Sequence, residues 1–309
     1  MIISIAKIVN PFGQFLKSLF FKHICHIIAR NHQSMPVLES NFTPSLPFKN
    51  GHFNTIYRPL FMKEKHNYKR KRITTWDHDF IDLDFSKVNS KKVVVLIHGL
   101  EDVDFVINHL LDNYSYEKIM IVGYSLGGNL TLKYFGEYVD SMSDKVTCGI
   151  AVSVPIDLAS SGKEMSTLKN KIYMEEFLKT LRLKVLEKSH KHPEYDLDKT
   201  KLFKAKVFKD FDELYTAPVF GFTSPEDYWE KASSKPYIPK IKKPTLLITS
   251  KDDPFLPKEC YPYEEAQNSD VFHLEVTKYG GHVGFISSFL PQENRWLENR
   301  IIQFLKDNG

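Results

Sequence analysis

Apolar runs alternate with amphipathic segments along most of the chain. Two strand-like runs, at about 70–76 and 79–85, are joined by Asp77 and His78 in a hairpin-like turn. The continuous β-branched run at 93–97 is typical of a strand that a parallel sheet buries on both faces. More strands and helices follow, the strands at about 119–122, 146–154, 245–250 and 272–277 and the helices at about 102–112 and 291–306. This order predicts an α/β fold with a mostly parallel, doubly wound sheet, whose post-strand turns line one edge.

The segment at about 158–240 interrupts the alternation of strands and helices. It is helical and charged at 169–186, bends at His190 to Pro193, and continues through the partly apolar run at 211–215. We interpret it as a helical lid inserted between two strands. His190 and His192 lie in the bend, but no carboxylate or cysteine is spaced to complete a metal site, so no metal is predicted.

The first 34 residues differ from the rest of the chain. No acidic residue precedes Glu39, and from Gln14 to Arg30 apolar residues follow helical spacing with basic residues largely opposite. This pattern is typical of a basic amphipathic helix on a membrane surface, and it contains too many polar residues to span a bilayer. A plain extension ahead of a domain at 35–309 is the alternative, and both interpretations remain open.

Composition excludes several classes of protein. The net charge of +4 is small for 309 residues and gives no support to nucleic-acid binding. The three cysteines are widely separated and form no Cys-x-x-Cys pair, so neither a disulfide framework nor a zinc site is indicated. We therefore expect a cytoplasmic protein, and residues 1–34 leave peripheral association with a membrane open. The length suits one large α/β domain with an insertion.

The candidate chemistry begins at a Gly-x-Ser-x-Gly turn at 123–127. It follows the apolar strand at 119–122 and precedes a helical apolar pattern, so strand, turn and helix occur in the order of a nucleophile elbow. A serine hydroxyl is a weak nucleophile unless the backbone presents it to a base, and this turn does so. Ser125 is therefore the candidate nucleophile.

Two further motifs supply the partners that a serine nucleophile needs. The strand at 245–250 is followed by Asp252, Asp253 and Pro254, where Asp253 is the first choice for the acid and Asp252 the alternative. His282 follows the strand at 272–277 and lies between glycines that let its loop approach the serine. The order Ser, Asp, His and the three post-strand positions favour a triad of Ser125, His282 and Asp253 over three unrelated loops.

An oxyanion hole would complete the site. One donor is the backbone N–H of Leu126, at the start of the elbow helix. The other is expected in the loop after the strand at 93–97, where Leu100 is the candidate. This chemistry needs no cofactor, and the expected partner is a small-molecule ester substrate.

Taken together, the motifs resemble the YheT-like branch of the α/β-hydrolases, which includes the ABHD-type lipid esterases. The resemblance covers about residue 35 to the C-terminus and rests on Asn-Gly-His-Phe-Asn-Thr at 50–55, the acidic strand at 79–84, His-Gly-Leu-Glu at 98–101, the elbow at 123–129, Asp-Asp-Pro-Phe at 252–255 and Gly-His-Val-Gly-Phe at 281–285. It implies an α/β-hydrolase fold and hydrolysis of carboxylic esters. It also makes Ser125, Asp253 and His282 the matching triad positions.

The chain departs from this family between His98 and Ser125, which are only 27 residues apart. Relatives have a further helix and strand in this region, so one helix–strand unit is expected to be missing after Glu101. The loss predicts a gap or an unpaired edge in the sheet and a displaced oxyanion loop. The sequence thus predicts a serine hydrolase acting on acyl or lipid-like esters, with an impaired or inactive variant as the alternative.

Overall fold

The computed structural model describes residues 2–6, 36–62, 67–76, 79–86, 89–99, 102–191 and 198–309, and for residues 2–6 it describes the backbone. In these residues nine strands form one sheet. The strands are β1 (Ile2–Ala6), β2 (Val37–Leu38), β3 (Lys69–Thr74), β4 (Phe80–Ser86), β5 (Lys92–Ile97), β6 (Lys118–Tyr124), β7 (Val146–Val152), β8 (Thr245–Ser250) and β9 (Phe272–Thr277).

The strand order across the sheet is β2-β9-β8-β7-β6-β5-β1-β4-β3. Strands β5 to β9 pair in parallel, as do β1 with β5 and β2 with β9, whereas β4 is antiparallel to both β1 and β3. The prediction of a mostly parallel sheet is confirmed. Because parallel strands end at the same edge, the turns after β6, β8 and β9 lie together.

The central strands are buried because their side chains are apolar on both faces. All six residues of β8 are buried, as are the last six of β6. One face packs against the C-terminal helix through a core cluster that includes Val122, Ile150, Ile248, Leu297 and Ile301. Burial of this kind contributes about 25 cal/mol per Å² of apolar surface and holds the sheet edge that carries the site.

The helices are α1 (Gly51–Phe61), α2 (Val103–Asn113), α3 (Leu126–Glu137), α4 (Leu158–Met165), α5 (Lys171–Lys191), α6 (Lys199–Lys204), α7 (Phe208–Phe211), α8 (Ala217–Val219), α9 (Pro225–Ala232), α10 (Tyr263–Gln267) and α11 (Trp296–Asn308). Asp102 caps α2 by accepting the Phe105 N–H, which explains its place just before the helix. The last helix begins later than predicted, since Pro291–Glu293 forms a separate 3₁₀ turn. No helix in the described part of the chain is long and apolar enough to cross a membrane.

The expected gap in the sheet is not present. Residues Ile2–Ala6, which the sequence pattern assigned to the N-terminal extension, form β1 between β5 and β4. Ile2 lies opposite Val94 of β5 in parallel register and opposite Ser86 of β4 in antiparallel register. The prediction of a gap or unpaired edge was wrong because a strand from the N-terminus occupies the place beside β5. The predicted amphipathic helix at 14–30 lies outside the described residues.

The chain forms two compact units. The first comprises residues 1–154, 234–253 and 262–309, and the second comprises residues 155–233 and 254–261. The second unit contains α4 to α9 and most of the segment at 158–240, whose interpretation as a lid stays a prediction. It has its own apolar core, which includes Met174, Leu178, Phe211 and Phe255. All three residues of the predicted triad belong to the first unit.

Candidate active site

The nucleophile turn connects β6 to α3. Ser125 lies between Tyr124, the last residue of β6, and Leu126, the first residue of α3, with φ 52° and ψ −124°. A positive φ is unfavourable for a residue with a Cβ, so Ser125 has a strained backbone. The Ser125 N–H donates to the Val152 carbonyl at 2.8 Å, which ties the turn to β7. The strain directs a partly exposed hydroxyl out of the sheet edge.

Gly127 allows the elbow to lie directly against the end of β5. A Cβ at this position would be 2.3 Å from the Ile97 carbonyl oxygen and 2.8 Å from the His98 nitrogen. Neither backbone atom can move without disturbing the β5–β6 pairing, in which Ile97 is opposite Gly123. The start of the predicted oxyanion loop is therefore adjacent to the elbow, despite the short spacing between His98 and Ser125.

Ser125, His282 and Asp253 form one hydrogen-bonded line. The His282 Nε2 is 2.9 Å from the Ser125 Oγ, and its Nδ1 is 2.9 Å from Asp253 Oδ2 and 3.2 Å from Oδ1. The His282 and Asp253 side chains are almost fully buried, at 4% and 0% exposure. An imidazole that donates from Nδ1 to the carboxylate presents an unprotonated Nε2 to the hydroxyl.

The two adjacent aspartates have different partners. Asp253 faces the imidazole, whereas Asp252 Oδ1 accepts the Gly281 N–H at 2.9 Å. Burial raises the pKa of the Asp252 carboxyl, although the Gly281 N–H partly offsets this effect. The first choice from the sequence, Asp253, therefore contacts His282, and the alternative supports the backbone of the same loop.

Of the two predicted oxyanion donors, the structure describes Leu126. Leu126 is the first residue of α3, so its N–H has no acceptor within the helix. The positive end of the helix dipole also lies there, which favours a developing negative charge beside Ser125. Leu100 lies outside the described residues, and its role stays a prediction.

Sequence reasoning missed the polar side chains that bind the loop carrying His282. We call residues 280–286 the histidine loop. The His282 N–H donates to Thr55 Oγ1 at 2.8 Å, and the Val283 N–H donates to Ser153 Oγ at 3.0 Å. Ser250 Oγ donates to the Gly281 carbonyl at 2.9 Å. The motif at 50–55 was the available signal for Thr55, whereas no local pattern identifies Ser153 or Ser250.

Comparisons with known proteins identify a family and several relatives of this chain. The family model described as alpha/beta hydrolase fold matches residues 71–289. A relative named "Putative esterase YheT", from Escherichia coli (strain K12), is 26% identical over 86% of this chain and 93% of its own length. Human "Phospholipase ABHD3" is 28% identical to this chain. The match covers 67% of this chain and 50% of the human protein, so the chain spans about half the length of that relative.

Among solved structures, the esterase of Pyrobaculum calidifontis shares the fold. Its TM-score is 0.52 at 16% identity, covering 83% of this chain and 90% of the esterase chain. Fold, elbow and family match define the class: the chain belongs to the α/β-hydrolase fold family, as an ester hydrolase of the esterase and lipase type. Within that family it is of the YheT-like, ABHD type.

Proposed function

We propose that the chain hydrolyses carboxylic esters through an acyl-enzyme formed on Ser125. The observation that carries the proposal is the line of hydrogen bonds from Asp253 through His282 to the Ser125 Oγ, with 2.9 Å at each step. A general base within hydrogen-bond reach of a nucleophile, itself oriented by a buried carboxylate, is the arrangement that acyl transfer requires.

In the first half of the reaction, His282 Nε2 takes the proton from Ser125 as the Oγ attacks the ester carbonyl. The carbonyl π electrons move to oxygen, and the Leu126 N–H donates to the resulting oxyanion. The negative Asp253 carboxylate stabilises the imidazolium. When the tetrahedral intermediate collapses, the C–O bond to the alcohol breaks and His282 returns the proton to the leaving oxygen.

In the second half, water replaces the alcohol. His282 takes a proton from the water, whose oxygen attacks the acyl carbonyl, and the same N–H donates to the second oxyanion. Collapse breaks the bond to Ser125 Oγ, which regains a proton from His282. The products are a carboxylic acid and the free enzyme.

For the substrate class we propose acyl or lipid-like esters. The name of the human relative refers to phospholipids, and the name of the Escherichia coli relative refers to esters in general. Hydrolysis by Ser125 needs only an accessible ester carbonyl, so a short-chain p-nitrophenyl ester and a monoacylglycerol are suitable first substrates.

A fluorophosphonate probe tests the proposal. The probe forms a covalent bond to an activated serine oxygen with loss of fluoride, so we expect labelling of the wild-type protein and no labelling of Ser125→Ala. Ser141→Ala removes an exposed serine from the same unit and should label like the wild type. We likewise expect the wild type and Ser141→Ala to hydrolyse the p-nitrophenyl ester and Ser125→Ala not to do so. A cooperatively folded wild-type protein that neither labels nor hydrolyses any ester would contradict the proposal and favour an impaired hydrolase.

We also propose that residues 14–30 contact a membrane surface, on the strength of their basic amphipathic pattern. The test is co-sedimentation with vesicles that contain anionic lipid. Leu19→Glu with Phe20→Glu places charge on the apolar face and leaves β1 unchanged. We expect the double variant to stay in the supernatant while the wild type sediments. Equal sedimentation of both proteins would exclude this contact.

A further inference from the structure

The backbone of the histidine loop is strained just after His282. Val283 and Phe285 have φ values of 59° and 46°, which residues with a Cβ rarely adopt, and Val283 is β-branched as well. Gly281, with φ 59°, precedes the histidine. Such a conformation persists only where neighbouring groups hold it, so the contacts of this loop determine where the imidazole lies.

Thr55 of α1 binds the backbone of His282 itself. Its Oγ1 accepts the His282 N–H at 2.8 Å and donates to the Gly51 carbonyl at 2.7 Å. Because the hydroxyl proton is directed to Gly51, a lone pair is left facing the His282 N–H. The Thr55 side chain is fully buried, and its β-branched carbon restricts the rotamer.

Asn54, the preceding residue, binds the far end of the histidine loop. Its Oδ1 accepts the Ile286 N–H at 3.0 Å, and its Nδ2 donates to the Ile286 carbonyl at 3.0 Å. The same Nδ2 also donates to the Phe48 carbonyl at 2.9 Å. The amide therefore pairs with Ile286 as a neighbouring strand would, at a position that is completely buried.

Helix α1 is itself held in place, so it can serve as a fixed support. Asn50 caps the helix by accepting the Phe53 N–H at 2.9 Å. At the other end, Arg58 donates from both terminal nitrogens to Glu298 of α11, at 3.0 and 2.9 Å. A Cβ at Gly281 would be 2.4 Å from the Gly51 carbonyl oxygen, so the loop lies directly on the first turn of α1.

We propose that Thr55 and Asn54 are positioning residues for His282, which rests on the proposed function of the triad. They bind the backbone at residues 282 and 286 and so fix the imidazole at hydrogen-bond distance from the Ser125 Oγ. Neither residue touches the reacting atoms. A displacement of about 1 Å in such a site can lower the rate about a hundredfold, so loss of one anchor is expected to act on kcat.

Thr55→Val is the variant that isolates this role, because it keeps the shape and removes the hydroxyl. We expect kcat for a p-nitrophenyl ester to fall by about 10- to 100-fold with little change in KM. Thr55→Ser restores the hydroxyl and should restore most of the rate. Thr245→Val is the matched control: Thr245 is also fully buried with one hydrogen bond to a carbonyl, but it lies at the opposite end of β8 from the site.

A second measurement tests the proposal without turnover. The Nδ1 proton of an imidazole held against a carboxylate gives a far-downfield ¹H signal, which we expect in the wild type, Thr55→Ser and Thr245→Val, and weakened or shifted in Thr55→Val. Retention of both rate and signal in folded Thr55→Val would overturn the positioning role. Equal losses in Thr55→Val and Thr245→Val would also overturn it, since they would indicate general destabilisation. A wild type that shows the signal but never labels would contradict the proposed function alone.

Discussion

At the residue scale, the neighbouring carboxylates of Asp252 and Asp253 have different hydrogen-bond partners. Asp253 accepts from the His282 ring, and Asp252 accepts from the backbone one residue before that histidine. The turn after β8 directs these two consecutive side chains to different partners. A carboxylate is needed only where a positive charge develops, which is at His282.

Replacement of each aspartate by asparagine should separate these roles. Asp253→Asn presents an amide to His282 Nδ1, which disfavours the required tautomer, so we expect kcat to fall by about 10⁴-fold. Asp252→Asn keeps an oxygen that accepts the Gly281 N–H, and we expect less than about a tenfold loss. Ester hydrolysis by the two purified variants measures the difference, and similar losses in both would contradict it.

At Gly127 the backbone of the elbow lies so close to the end of β5 that there is no room for a side chain. Gly127→Ala places a carbon 2.3 Å from the Ile97 carbonyl oxygen, so we expect a loss of about 1–3 kcal/mol in the free energy of unfolding and slower fluorophosphonate labelling. Gly162→Ala is the control, because its Cβ would meet only Trp229 at 3.8 Å in the interior of α4. That change should stabilise the protein by up to about 1 kcal/mol in urea unfolding. Unchanged stability and labelling in Gly127→Ala would show that the elbow and the end of β5 can move apart, which would contradict this prediction.

At the element scale, charge pairs hold the β3–β4 hairpin. Arg72 lies directly opposite Asp82, and Arg70 directly opposite Asp84. Both arginines make two hydrogen bonds to the facing carboxylate, at 2.7 and 2.9 Å for Arg72 and 2.7 and 2.8 Å for Arg70. The basic residues at 69–72 are exposed on β3, an edge strand of the sheet, and two of them pair with the carboxylates of β4.

The hairpin gives a pH dependence with a definite sign. The hydrogen bonds from Arg72 lower the pKa of Asp82 from its usual value of 3.8, so the pair stabilises the folded state above that value and stops doing so as the pH falls through the lowered pKa. Asp82→Asn should therefore lower the urea midpoint at pH 7, and the difference from wild type should shrink below about pH 4. Glu117→Gln, in an exposed pair with Lys91, is the control and should change little. A difference that grows in acid would refute this assignment.

At the scale of the whole molecule, an N-terminal strand completes the sheet. Without β1, the facing edges of β4 and β5 would present unpaired backbone groups inside the sheet rather than at its margin. Five residues at one end of the chain therefore connect the hairpin to the strands that carry the site. The family resemblance, which begins at about residue 35, gives no indication of this contact.

Removal of residues 1–6 should destabilise the first unit as a whole. Several backbone hydrogen bonds would be lost, at about 1 kcal/mol each, so we expect a clear fall in Tm and more aggregation. A synthetic peptide of residues 1–6 added in trans should restore part of the Tm. The same peptide with Ser4→Pro should not, since proline cannot donate within a central strand. In the full chain, an unchanged Tm for Ser4→Pro would show that β1 does not pair as described.

Much of this fold was accessible from the sequence because its signals are local. β8 and β9 were predicted with their observed limits, since β8 has an apolar centre, β9 alternates apolar and polar residues, and turn residues follow both. The hairpin and α2 were also predicted within about two residues at either end. The prediction began the last helix too early, at Pro291, because apolar spacing alone does not distinguish a 3₁₀ turn from an α-helix.

The sequence by itself determined most of the central strands and the strand–turn–helix context of the elbow, because each depends on residues that are near neighbours in the chain. The order of Ser125, Asp253 and His282 was also evident from the sequence, because each follows a predicted strand. Only the tertiary structure decided that Asp253 rather than Asp252 faces the imidazole and that β1 lies beside β5. It alone also brought Thr55 to a histidine 227 residues away. These contacts join segments distant in sequence, and their geometry follows from how the sheet and α1 pack, which no local pattern encodes.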